Sequence, residues 1–412
     1  MRIALVTQHY APHFEGGTEA VARAQARALA ELGHDVRIVS GTERRSHDGA
    51  PSQAVVDGLP VTFLHRRADE PYDLILERPR LLRRVVALCA DADVVHVHHW
   101  TTLDNALVRT LSERRPVVVS LHDHFTSCPR FFRVPAGGVE RCPGPGDVEP
   151  CVPCCAADAP LPEDELRAGL LARARAFRAE LEAASALIAP SHAHARALGA
   201  ALGLARERFS VLPHGLGAPL ARSAPPADER PLRLLHLGHR SRVKGTLDLV
   251  QALAGLPPRR RADVRLLCLG AQLEAGFDRE LLAAADGVQV ELGGPYDVAA
   301  LSSLIGDRGG AHLAAFPSRA PESYGLVVDE ALALGLPCLV ADSGALPERL
   351  GGAGRVLPPA DPAAWTAALL ELLERPELLR AWRAALPAAP PTAGDAARAL
   401  DALYQRLTAA RR

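Results

Sequence analysis

One lysine, Lys244, stands in a chain whose Lys and Arg together number 47, so every other basic side chain of that pair is an arginine. It lies in Gly238-His239-Arg240-Ser241-Arg242-Val243-Lys244-Gly245, between an apolar run and a helical pattern. An ammonium is a compact, strongly hydrated point charge that can meet a diphosphate from several directions, whereas a guanidinium is a planar fork with stricter geometry. Lys244 is therefore the first candidate phosphate ligand, set against the plainer reading of a surface lysine.

A second group lies about eighty residues on, in Pro321-Glu322-Ser323-Tyr324-Gly325-Leu326-Val327-Val328-Asp329-Glu330. A helix beginning near Ser323 or Tyr324 would point unpaired backbone N–H groups at an anion, and its dipole would favour a phosphate. Glu322 precedes that point and Glu330 follows it by eight residues, roughly 12 Å along an ideal helix. Two acceptors flanking an anion site suit a ligand with hydroxyls at both ends and a diphosphate between, as in a nucleotide sugar. Glu322 would take hydroxyls of the sugar and Glu330 those of the ribose. The alternative is an acidic helix start with Glu330 on a solvated face.

Parallel sheets are what the surrounding pattern can build, because short β-branched or leucine-rich runs alternate with longer helical stretches throughout. Strands are expected at Ile3–Thr7, Val36–Ser40, Val61–Leu64, Val94–Val97, Val117–Leu121, Leu187–Ala189 and Ser210–Leu212. The helix after the first strand places Val21, Ala28, Leu29 and Leu32 on one face. A proline- and alanine-rich stretch, 218–231, reads as a linker. The rhythm then restarts with strands near Leu232–Leu237, Val264–Leu269, Val288–Leu292, His312–Phe316 and Cys338–Val340. The expected fold class is α/β, with Rossmann-like doubly wound domains over 1–217 and 232–393 facing across a cleft, where such sheets bind ligands beyond their strands' carboxyl ends. A last amphipathic helix, 394–412, carries Ala397, Leu400, Leu403 and Leu407 on one face and is expected to pack back on the first domain.

Composition narrows the classes. A formal net charge of -1 gives no bulk attraction for nucleic acid, so none is expected as a partner. No apolar run reaches the roughly 18 residues that a spanning helix needs, and Met1–Val6 reads as a buried strand rather than an export signal. A cytoplasmic protein is the expectation, with peripheral contact at the inner membrane face as an addition, because Glu163–Ser185 sets Arg167, Arg173, Arg175 and Arg178 beside leucines. Glu163, Glu165, Glu180 and Glu182 offset much of that charge and favour a solvated face. Five of the eight cysteines crowd into an insertion, 128–155, with no strand or helix pattern. Cys128, Cys142, Cys151 and Cys154, closing in a C-x-x-C, could hold a structural zinc; a disulfide-bonded loop and plain thiols are the alternatives, and Cys155 could replace Cys154. Cys89, Cys268 and Cys338 read as core residues.

The spacing from Glu322 to Glu330, with Pro317-Ser318 before it, Gly325-Leu326 within it and Ser343-Gly344-Ala345-Leu346-Pro347-Glu348 after it, resembles the donor-binding signature of family 4 glycosyltransferases. These are retaining enzymes of the two-domain GT-B type. Gly16-Gly17-Thr18-Glu19, Pro190-Ser191, Pro213-His214-Gly215 and Gly238 to Gly245 extend the resemblance over nearly the whole chain. It implies that Gly17 brings backbone amides to the donor phosphate, that Lys244 holds the diphosphate, and that His122 faces the donor sugar near the reacting carbon. Glu322 and Glu330 keep the roles argued above, Ser323, Tyr324, Gly325 and Leu326 form the anion site between them, and Gly270 falls at the nucleotide base. The family has an arginine directly after the glycine equivalent to Gly238; here His239 stands there, leaving Arg240, one position away, or Arg242 as the second cation.

The implied reaction transfers a sugar from a nucleotide-diphosphate donor to a saccharide, lipid-linked or small-molecule acceptor with retention. The leaving diphosphate takes the acceptor proton, and no metal cofactor is needed because the protein supplies the positive charge. His96, His98 and His99 read as structural, with acceptor contact as a minor role. A nicotinamide dehydrogenase would want G-x-G-x-x-G at the first turn, which Gly16-Gly17 does not provide. The rival from another class is a degenerate subunit that binds donor or partner without turnover, favoured by His239 alone. Donor base, sugar, acceptor and oligomeric state are not written in the sequence.

Overall fold

The computed structural model describes residues 1–46, 49–67, 77–135, 142, 147–157, 161–228 and 230–411. The chain folds as two compact units, one of Met1–Ala136, Pro143–Gly217 and Pro391–Arg412, the other built on Ala218–Pro390.

The first unit carries β1 (Arg2–Thr7), β2 (Asp35–Ser46), β3 (Ser52–Val56), β4 (Leu59–Arg67), β5 (Val94–Val97), β6 (Val117–Ser120), β7 (Ala186–Ala189) and β8 (Phe209–Val211). They form one sheet in the order β3-β4-β2-β1-β5-β6-β7-β8. All neighbours are parallel except β3, which runs antiparallel to β4. β5 and β6 are buried at every residue, as strands covered on both faces must be, and their continuous Val runs reflect it. The sequence reading omitted β3. Its signal was Asp57-Gly58, both with positive φ, the two-residue turn that joins antiparallel strands.

Helix Gly17–Glu31 buries Val21, Ala28 and Leu29 but leaves Leu32, its C-terminal cap, 43% exposed, so the expected face ends one turn early. Ala393–Ala409 is helical, opened by a reciprocal Thr392/Asp395 capping box. Its Ala393, Ala397, Leu400 and Tyr404 join the same hydrophobic cluster as Ile3, Leu5, Ala26 and Leu29, with Leu403 and Leu407 at the margin.

The second unit holds β9 (Leu232–Leu237), β10 (Val264–Leu269), β11 (Gln289–Leu292), β12 (Leu313–Phe316), β13 (Cys338–Ala341) and β14 (Gly354–Leu357). The sheet is wholly parallel in the order β11-β10-β9-β12-β13-β14. From β9 the chain first winds towards β11 and later returns to the other side at β12, so β9 and β12 flank the point where the winding direction reverses. The described residues of 218–231 carry no helix or strand but are tied to this unit: Ser223 N–H donates to Leu334 O and Arg222 to Pro387 O. Cys268 and Cys338 are buried in its core and Cys89 in that of the first unit.

No helix among the described residues is long and apolar enough to cross a membrane. The expected basic face of helix Glu163–Ala183 is largely neutralised: Arg167 pairs with Glu149, Glu163 and Asp164, Arg178 with Glu182, and Arg173 is buried over the Phe177 ring.

Candidate functional site

The reversal point between β9 and β12 is where an open parallel sheet offers a crevice at its carboxyl edge, and both sequence signals fall there. The segment from Gly238 to Gly245 leaves β9, while Pro317 to Glu322 leaves β12. Gly245 has φ +69, and a Cβ on it would lie 2.1 Å from Pro317 O, so only glycine permits this approach of the two loops. Arg319 and Ala320 N–H both donate to Val243 O, at 3.0 and 3.3 Å. The stitching puts Lys244 Nζ 2.7 Å from Glu322 Oε1. Ser318 Oγ donates to the same oxygen at 2.7 Å.

Glu322 is held in extended backbone by a bridge to Gly344, and Ala345 N–H donates to Glu322 O at 2.8 Å. Gly344 has φ +62, and its Cβ position is 2.2 Å from Glu322 O. This corrects the expected helix start. The helix is Leu326–Ala333, capped by Gly325 at φ +88, because the chain must first complete the Glu322 bridge. Tyr324 is drawn into the core, where its hydroxyl donates to Asp329 Oδ2 at 2.6 Å under the Arg349 guanidinium. The unpaired amides of the first turn therefore start at Leu326 rather than at Ser323 or Tyr324.

Glu330 lies on that helix, 8% exposed, and Tyr296 OH donates to its Oε2 at 2.9 Å. Burial pushes its carboxyl up to about 7, with the Tyr296 bond pulling the other way. Glu330 is thus not on a solvated face.

The arginines depart from expectation. Arg240, 4% exposed, forms a bidentate pair with Asp278 at 2.7 Å and also donates to Gly270 O and Gly293 O, so it fastens the β9, β10 and β11 loops together. Gly270 thus meets Arg240 through its carbonyl. Arg242 is bidentate with Glu280 at 2.7 and 2.6 Å. Arg319 is bidentate with Asp248. His239 is kept neutral by burial and by the nearby Lys244 charge, both of which lower its pKa. Lys244 is thus distinguished by its partner, which is itself a candidate ligand-binding carboxylate.

In the first unit, Gly17 opens helix Gly17–Glu31 behind Gly16, an extended N-cap with no side-chain cap. His122 follows β6 and is 6% exposed. Its Nε2 lies 2.9 Å from His98 Nδ1, and its ring stacks on His214 with centroids 4.7 Å apart. Burial pushes His122 down to about 3, so the ring is neutral near pH 7. His96, His98 and His99 are fully buried.

The expected zinc is not shown by the structure. Among the described residues, no group of three or more His, Cys, Asp or Glu is placed to hold a metal ion. Cys151 and Cys154 lie on a helix, Cys151–Ala156, which the sequence reading missed, and Val152 and Cys155 pack against Leu166 and Leu170. An apolar contact holds this part of the insertion against helix Glu163–Ala183. Part of the stretch between Cys128 and Cys151 lies outside the described residues.

Comparison with known proteins accounts for both units. The model described as "Glycosyltransferase Family 4" matches residues 15–217, and that described as "Glycosyl transferases group 1" matches residues 219–387. The chain belongs to these glycosyltransferases. The transferase is 26% identical to an MMP alpha-(1->4)-mannosyltransferase of Mycolicibacterium hassiacum, covering 92% of this chain and 91% of the relative. It is 27% identical to a D-inositol 3-phosphate glycosyltransferase of Thermobispora bispora, covering 92% and 88%. Among solved structures, a sucrose-phosphate synthase from Thermosynechococcus elongatus aligns with TM-score 0.73 at 21% identity over 99% of each chain. Anabaena HepE in complex with UDP-glucose aligns with TM-score 0.66 at 18% identity, covering 99% of the transferase and 100% of the neighbour. The fold of the transferase is GT-B.

Several of its site contacts escaped the sequence reading. Tyr296 follows β11 in Gly293-Gly294-Pro295-Tyr296 and is one of five tyrosines, the one signal it offered. Ser318 was noticed as a landmark but not as a hydrogen-bond donor, and nothing local to Asp278 marks it as the partner of Arg240.

Proposed function

We propose that this glycosyltransferase moves a glycosyl group from a nucleotide-diphosphate sugar to an acceptor hydroxyl with retention at the anomeric carbon. The observation that carries the reading is the Lys244–Glu322 pair at the reversal point of the second sheet. An ammonium suited to a diphosphate and a carboxylate suited to sugar hydroxyls sit side by side, and Glu330 is available for the ribose. The amides at the start of Leu326–Ala333 add a dipole directed at the phosphates.

In the reaction, the bond from the anomeric carbon to the diphosphate oxygen breaks. The acceptor oxygen bonds to that carbon on the same face, and its proton passes to the leaving phosphate. Lys244 and the helix amides stabilise the charge that grows on the diphosphate, which is where fixed dipoles lower a barrier most. Glu322 orients the sugar. Arg240 and Arg242 are replaced in this account by Lys244 with the helix start, since both guanidinium groups already serve carboxylates. Acceptor classes in keeping with the relatives are a saccharide, a lipid-linked glycan or a small polyol. A cytoplasmic setting follows from the need for nucleotide sugars.

The degenerate-subunit reading is not favoured, since the relatives are named as transferases and His239 sits beside Lys244 without displacing it. The test is a thermal-shift screen of sugar nucleotides, followed by donor hydrolysis without acceptor. A donor that stabilises the chain and is slowly hydrolysed supports the reading. A stabilising donor whose shift survives undiminished in Lys244→Ala overturns the phosphate assignment.

A further inference from the structure

Leu232, the first residue of β9, and His312, the residue before β12, line a cavity of about 90 Å³ at the amino edge of the second sheet. The loops that carry Lys244 and Glu322 leave the other ends of these same two strands. At about 3.3 Å per residue, β9 alone separates the two places by roughly 20 Å. Arg230, Arg380 and Arg383 border the cavity, and no Asp or Glu does among the described residues. Arg230 donates to Asp263 Oδ2 at 3.3 Å and to Leu373 O at 2.9 Å. Asp263 also serves Arg260 at 3.2 Å, so its one charge is divided between two guanidinium groups.

His312 is fixed by backbone groups on both ring nitrogens. Arg233 N–H donates to its Nδ1 at 2.9 Å, which leaves the ring hydrogen on Nε2, and Nε2 donates to Asp228 O at 2.9 Å. The carbonyl of this pinned residue accepts from the Arg383 guanidinium at 3.0 Å. Arg383 lies on helix Glu377–Ala384, is half-buried, and makes that single hydrogen bond among the described residues with a group that carries five N–H donors. Burial lowers its pKa with no carboxylate acting against it. Arg23, Arg167, Arg242 and Arg319 are all raised instead, each by a hydrogen-bonded carboxylate. Arg383 thus holds a partly desolvated charge that the described residues do not balance, an arrangement that costs stability until an anion meets it.

We propose that this cavity is an oxyanion site, separate from the donor pocket, in which Arg383 and Arg230 hold a phosphate group. Guanidinium forks match the oxygens of a tetrahedral phosphate, and a dianion offsets the surplus charge of the rim. The volume is far below the roughly 300–1,000 Å³ of pockets that enclose a whole organic ligand. It therefore takes the phosphate itself, either the free ion or the head of a small phosphomonoester whose remainder stays in solvent. The inference goes beyond the transfer reaction and does not depend on it.

The experiment is phenylglyoxal modification of the full chain, followed at each arginine by mass spectrometry, in the wild type and in Lys244→Ala, which removes the ammonium of the donor pocket. Inorganic phosphate should slow modification of Arg383 several-fold in both chains, relative to chloride at equal ionic strength, which controls for screening. Equal protection by glycerol phosphate assigns the site to phosphomonoesters, and protection by inorganic phosphate alone assigns it to the free ion. Phosphate should also raise the melting temperature of Lys244→Ala, and adding Arg383→Met should abolish that rise. Modification of Arg383 at one rate in phosphate and chloride overturns the proposal, whether or not Arg383→Met folds. Protection that vanishes in Lys244→Ala places the phosphate in the donor pocket and overturns it equally, as does a thermal shift undiminished by Arg383→Met.

Discussion

Tyr296 donates its hydroxyl hydrogen to Glu330 Oε2 at 2.9 Å, so the protein itself engages one oxygen of this buried carboxylate. The bond favours the ionised form against the desolvation that raises the group. Tyr296→Phe should therefore leave Glu330 more protonated at pH 7 and weaken donor binding about tenfold, the worth of one hydrogen bond. Calorimetric titration at pH 7 and again at pH 8.5 checks this, with part of the affinity returning at the higher pH.

Glu330 also carries a signature in stability. Its folded pKa of about 7 lies above the usual 4.5, so between those values the folded chain holds a proton that the unfolded chain has released. Stability contributed by the group is full below about pH 4.5 and is lost as pH rises towards and through 7. Glu330→Gln should flatten that loss by on the order of 2 kcal/mol, read from urea denaturation at pH 5 and pH 8. Glu180, pushed by burial up to about 7 as well, adds a loss of the same sign that persists in the variant.

Two neighbouring arginines should respond differently to removal. Arg240→Ala strips a buried guanidinium from Asp278 and from two carbonyls, at a cost of roughly 2–4 kcal/mol. Arg242→Ala removes a surface pair about half exposed, costing roughly 1 kcal/mol or less. Thermal melts of the two variants side by side provide the measurement. Equal effects would remove the structural role assigned to Arg240.

Gly344→Ala tests whether backbone geometry places Glu322. The new methyl would collide with the Glu322 carbonyl at 2.2 Å in a conformation that L residues rarely adopt. Donor hydrolysis should drop at least tenfold. Melting should shift by several degrees, and Gly344→Ala with unaltered donor affinity would detach Gly344 from the site.

Most of the sheet framework was legible because buried parallel strands are written as local runs of Val and Leu, and periodicity is a local property. β3 was passed over because an exposed edge strand needs no such run. The Glu322 and Lys244 signals were readable as residue types, and their meeting follows from β9 and β12 lying side by side. The helix start was placed too early because Tyr324 and Glu322 are held by partners far along the chain, Asp329 and Gly344, that spacing alone does not reveal. The pairing of the arginines was hidden for the same reason: a carboxylate thirty-eight residues away claims each of them. The helix Cys151–Ala156 was not legible because six residues are too few to show a helical period.

The hydrogen bond between Tyr404 and His96 joins helix Ala393–Ala409 to the middle of the first sheet. During synthesis the first unit must therefore wait, with Ile3, Leu5 and Leu29 incompletely covered, until the ribosome has made the whole of the second. A fragment cut at residue 217 would display that uncovered face and should aggregate, whereas residues 218–390 carry their own core and are the half to express alone.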